Sequence, residues 1–76
     1  MPSMTVSEFW TETNRVWLSL DRFRWGQAAS LVLARVRPDL SAPLRGGPAD
    51  PFYAVDSREP RSVAFAEYVN RRWEEA

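Results

Sequence analysis

Apolar side chains recur along this chain at helical spacing, and the spacing predicts three helices. In the first, Val6, Phe9, Trp10, Thr13, Val16, Trp17 and Leu20 fall on one face at about 100° per residue. Glu8, Glu12, Arg15 and Ser19 take the other face, and Leu18 stands among them, out of phase. Thr5-Val6-Ser7-Glu8 reads as a capping box, so this helix spans about residues 5–20. The second helix, 24–37, is the most apolar run and the one the others pack against. Its inner face is Trp25, Ala28, Ala29, Val32, Leu33 and Val36, and the small Gly26, Ala28 and Ala29 admit a close backbone neighbour. Arg24, Gln27, Leu31 and Arg35 line its outer face, where Leu31 is a second out-of-phase leucine. The third helix, 58–74, turns Ser62, Phe65, Ala66, Val69 and Trp73 inward and Tyr68 outward, between Arg61 and Arg72.

The connections follow from the breakers. Asp21-Arg22-Phe23 is a short link that makes the first two helices neighbours. Pro38 ends the second helix. Residues 38–51, with Pro43, Gly46-Gly47, Pro48 and Pro51, read as a long loop, expected to be mobile and dispensable for folding. Phe52-Tyr53-Ala54-Val55 reads as a short extended segment laying its aromatics on the core. The expectation is one all-α, three-helix domain over 1–76, with Trp17, Trp25, Val32, Phe65, Val69 and Trp73 at its centre.

Composition narrows the chemistry more than it names it. The chain is 76 residues long, 45% hydrophobic and 13% aromatic, with four Trp, which suits a folded domain with one small core. It has no Cys and no His, and all ten of its Lys-plus-Arg residues are Arg. Thiolate, imidazole and lysine chemistry, with the metal sites and cofactors they hold, are thereby excluded. Carboxylates remain: Asp50 with Asp56, and Glu74 with Glu75, are placed for acid/base work or for turns, caps and a chain end. The expectation is no enzyme and no cofactor. No basic-then-apolar leader and no membrane span is present, and the expected location is the cytoplasm.

Arg24-Trp25-Gly26-Gln27 with Phe52-Tyr53-Ala54-Val55-Asp56, preceded by Trp17, resembles a family of short uncharacterised bacterial proteins. In that family an Arg-aromatic-Gly-Gln helix start precedes a Phe-Tyr-x-x-Asp segment and a last helix. The resemblance implies that architecture and no activity. Ala28-Ala29-Ser30 and Ser57 depart from the family's bulkier aliphatics, Asn and second acid, and the loop is longer.

Two surfaces carry candidate function. Leu18 and Leu31, with Arg24, Gln27 and Arg35 around Leu31, form a dry centre with a polar rim, fitted to a protein partner. Phe52 or Tyr53 covering Leu31 from within is the competing account. Arg61, Tyr68 and Arg72 are the alternative, placed to bind phosphate and stack a base. Ten basic residues against ten acidic ones give a formal net charge of zero, which disfavours nucleic acid. Arg24 and Asp56, at the starts of two helices, are placed either to pair or to remain separate surface charges.

Overall fold

The computed structural model describes residues 4–19 and 24–74. It is all-α, with helices α1 (Val6–Ser19), α2 (Trp25–Val36), the short α3 (Pro38–Ser41) and α4 (Pro60–Arg72). A 3₁₀ turn, Ala42–Leu44, continues from α3. Among the described residues there is no strand, and no helix is long and apolar enough to cross a membrane.

Local chemistry explains each start. At α1 the capping box forms as read: Glu8 N donates to Thr5 Oγ1 at 3.1 Å, and Thr5 N donates to Glu8 Oε1 at 2.8 Å. At α2 the Gln27 side chain reaches back, its Oε1 accepting from Arg24 N at 3.2 Å. The next two amides donate outside the helix, Gly26 N to Ala54 O at 3.0 Å and Trp25 N to Val55 O at 3.4 Å. The start of α2 is thus seated on residues 51–55.

Pro38 does not open a loop. Arg37 caps both helices around it: its amide closes on Leu33 O at 2.8 Å, and its carbonyl accepts from Leu40 and Ser41. Pro38 occupies the first position of α3, where its missing N–H costs nothing. The segment read as loop therefore begins with another helix, and its Leu40, Leu44 and Pro51 are buried. The 52–55 stretch is not extended either. It turns, burying Ala54 and leaving Tyr53 69% exposed, so the small residue and not the aromatic meets the core.

The core gathers Phe9, Trp25, Phe65 and Trp73 with Val32, Leu33, Leu40, Leu44 and Val69. Trp10 knits α1 to its neighbours. Its ring stacks on Trp25 at 6.3 Å, and its Nε1 donates to Asn70 Oδ1 at 2.9 Å. Trp73 Nε1 donates to Met4 O at 2.9 Å. Burying each large apolar side chain contributes roughly 1.5–3 kcal/mol, so this aromatic set is a main source of stability. Trp17 is half-buried at the edge, while Phe9, two turns earlier on the same face, is wholly enclosed. The buried residues of α1 are Phe9 and Thr13, with Val16 and Trp17 packed partly buried against the core beyond them. Leu20 and the Asp21-Arg22-Phe23 link lie outside the described residues.

Candidate functional site

A groove of about 340 Å³ lies between α2 and the 41–53 segment. One wall is α2, where Ser30 and Leu31 stand one turn from Ala34. Ser41, Leu44 and Arg45 form the second wall, and Asp50 with Pro51, Phe52 and Tyr53 the third. Leu33 and Phe65 lie at its base, joining it to the core.

Asp50 organises the third wall. Its Oδ2 accepts from Gly46 N at 2.9 Å and its Oδ1 from Phe52 N at 3.1 Å. Gly46 has φ +75°, the left-handed conformation that glycine adopts without steric cost, at the head of this turn. Phe52 and Tyr53 then meet edge to face at 5.0 Å. The Arg24 guanidinium lies 5.7 Å from the centre of the Tyr53 ring, a cation–π contact. Arg24 does not pair with Asp56, whose Oδ1 accepts instead from Arg58 N at 2.8 Å.

The outer face of α2 is divided among different tasks. Leu31 lines the groove and is 49% exposed, so neither Phe52 nor Tyr53 closes over it. Gln27 is taken up in capping. Arg35 turns to α1, where its Nη2 meets Glu12 Oε2 at 3.0 Å. Arg15 holds the same carboxylate from one turn away, at 2.8 and 2.6 Å. These bonds, Arg15's first and Arg35's after, bring the Glu12 carboxyl down to about 2 against the opposing effect of desolvation. Leu18 is 73% exposed on α1 and does not line the groove.

The alternative surface on α4 is rearranged as well. Tyr68 is half-buried against the core, and its hydroxyl donates to Leu40 O at 2.9 Å. Arg72 lies over its ring at 5.6 Å, and Arg61 is exposed at the first turn of the helix. Tyr68 faces outward in the sequence reading because α3 is absent from it; α3 supplies the carbonyl that the hydroxyl meets.

Arg45, Asp50 and the Phe52-Tyr53 pair are the groove residues that the periodicity does not reveal as a site. A signal for them exists. Pro38-Asp39, a proline followed by an acid, marks a helix start, although the helix is too short for a period to follow. Comparison with family models, with curated proteins and with solved structures finds no match for this chain.

Proposed function

We propose that the chain is a non-enzymatic protein-interaction module, and that the groove beside Leu31 is its binding surface. The observation that carries this reading is the half-exposed Leu31 in a concavity that it shares with the exposed Tyr53. A short segment of a partner would remove both from water and leave the core untouched. The carboxylates add support. Asp50 and Asp56 are engaged with backbone amides, which is the work of turns. The nucleic-acid reading on α4 is less well supported, since the Tyr68 hydroxyl is tied to Leu40 and its ring is partly packed away.

We also propose that Arg24-Trp25-Gly26-Gln27 and Phe52-Tyr53-Ala54-Val55-Asp56, the two segments that carry the resemblance to short uncharacterised bacterial proteins, pack as one unit. The Gly26–Ala54 contact supports that pairing.

Selection of a random displayed peptide library against the whole protein tests the module. The expected result is peptides that bind the native chain and are lost on Leu31→Asp, with the variant's circular dichroism unchanged. Failure to enrich any Leu31-dependent peptide would count against the reading.

A further inference from the structure

We infer that the occupant of the groove is an acidic peptide segment with one aliphatic or aromatic side chain, its carboxylate docking on Arg45. This rests on the interaction-module reading above and adds the chemistry of the partner.

Size sets the first limit. At about 340 Å³ the groove is near the lower end of ligand sites, which run about 300–1,000 Å³. It accepts one or two side chains of a crossing segment and not a folded element. Its walls make the anchor apolar, because Leu31, Leu44, Pro51 and Phe52 surround the space.

Charge sets the second limit. Two ionic groups line the groove, Arg45 and Asp50, and they do not pair with each other. Both Asp50 oxygens already accept backbone amides, so its acceptor atoms are engaged inside its own loop while its negative charge remains. Arg45 is exposed and, among the described residues, makes no ion pair and no side-chain hydrogen bond. A second cation, Arg24, sits against Tyr53 on another wall. Among the described residues, Arg45 is therefore the ionic side chain of the groove left for a ligand to answer. A guanidinium beside an apolar slot selects a carboxylate next to an apolar side chain. The formal net charge of zero supplies no long-range attraction for a polyanion, so recognition depends on this local pairing.

Three pentapeptides with blocked ends test the inference, each with a central leucine flanked by glutamates, glutamines or lysines. Each is titrated into the whole protein, following the backbone amides of Leu31, Leu44 and Tyr53 by NMR. The glutamate peptide is expected to bind tightest, by roughly two- to fivefold over the glutamine peptide, the gain of one exposed ion pair. Arg45→Gln should erase that difference, and Arg61→Gln should leave it. Equal affinity of the glutamate and glutamine peptides, still lost on Leu31→Asp, would overturn the acidic partner while the module reading stood. No Leu31-dependent binding by these or by library-selected peptides would overturn both. Self-association abolished by Leu18→Asp and by Leu31→Asp alike, measured by sedimentation, would make the occupant a second copy and also overturn the inference.

Discussion

The amide of Gly26 donates to the carbonyl of Ala54 at 3.0 Å, and no side chain fits between the two backbones. A Cβ on Gly26 would lie 1.6 Å from Pro51 O and 2.9 Å from Ala54 O. Both obstacles are backbone, and Ala54 N is itself bonded to Pro51 O at 2.7 Å, so the turn cannot shift alone. Gly26→Ala is expected to cost at least about 3 kcal/mol and to unfold much of so small a domain. Gly46→Ala is the comparison. It meets open space and carries only the strain of its positive φ, so about 1–2 kcal/mol is expected. Urea midpoints of the two variants check the order; a mild Gly26→Ala would mean that the α2 start is not seated on the turn.

The 38–51 segment is expected to be part of the core and not a dispensable tether. Leu44 is buried in it, and Tyr68 and Arg37 fasten α3 from α4 and α2. The Tyr68 hydroxyl reaches Leu40 O, while Arg37 makes a bidentate pair with Asp39 and donates to Trp73 O at 2.8 Å. Leu44→Ala should cost about 2–4 kcal/mol. Replacing residues 41–48 with a Gly/Ser linker should lower the melting temperature sharply, and an unchanged melt would show that the segment packs on nothing essential.

The contrast between α1 and this segment shows what the sequence makes legible. Helical phase alone places Phe9, Trp25, Val32, Phe65, Val69 and Trp73 inward, because each sits on a long amphipathic run with clear ends. Gly26 stands out as a close-approach residue for the same reason, although its partner does not. Proline and glycine density hides α3, since the same residues that break helices also start them and shape tight turns. Four residues are too few for a period to register. With α3 unread, the Leu40 carbonyl that takes up Tyr68 is unread too, and so is the groove wall bearing Arg45. Leu31 is found from its wrong phase; its neighbours across the groove come from residues 41–53, where no phase exists. A helical wheel puts Arg35 on a rim with Leu31, yet the Glu12 carboxylate on α1 draws it away.

Acid should weaken the α1–α2 contact through Glu12. Its carboxyl titrates at about 2 in the folded chain against an ordinary 4.5. A folded-state value below the unfolded one gives stability that is present in full above about 4.5 and is lost as the pH falls through about 2. Asp39, bonded to Arg37, is shifted in the same direction and adds to the same limb. Urea midpoints between pH 6 and pH 2 should therefore fall less steeply for Glu12→Gln than for the native chain. Added salt should flatten the native curve toward the variant's, because the Glu12–Arg15–Arg35 cluster lies at the surface. Parallel curves would show that the cluster does not contribute.

Thr13 offers a gain. It lies on the inner face of α1 with 0% exposure, and among the described residues its Oγ1 has no hydrogen-bond partner. A buried hydroxyl without a partner has given up its bonds to water for nothing, a cost of about 1–3 kcal/mol. Valine has nearly the same shape and is likewise branched at Cβ, so Thr13→Val keeps the contacts and removes the penalty. The variant should be more stable by about 1 kcal/mol, which raises the melting temperature by roughly 4–8 °C in a domain of this size. Thr13→Ser keeps the hydroxyl and loses a methyl, so it should be less stable than the native chain by about 1 kcal/mol. The pair separates two explanations. If Thr13 is held in place by packing, the order of stability is valine, threonine, serine. If its hydroxyl does useful work in the core, serine holds its ground and valine falls below threonine, and the inner face of α1 is then a polar contact and not a dry one.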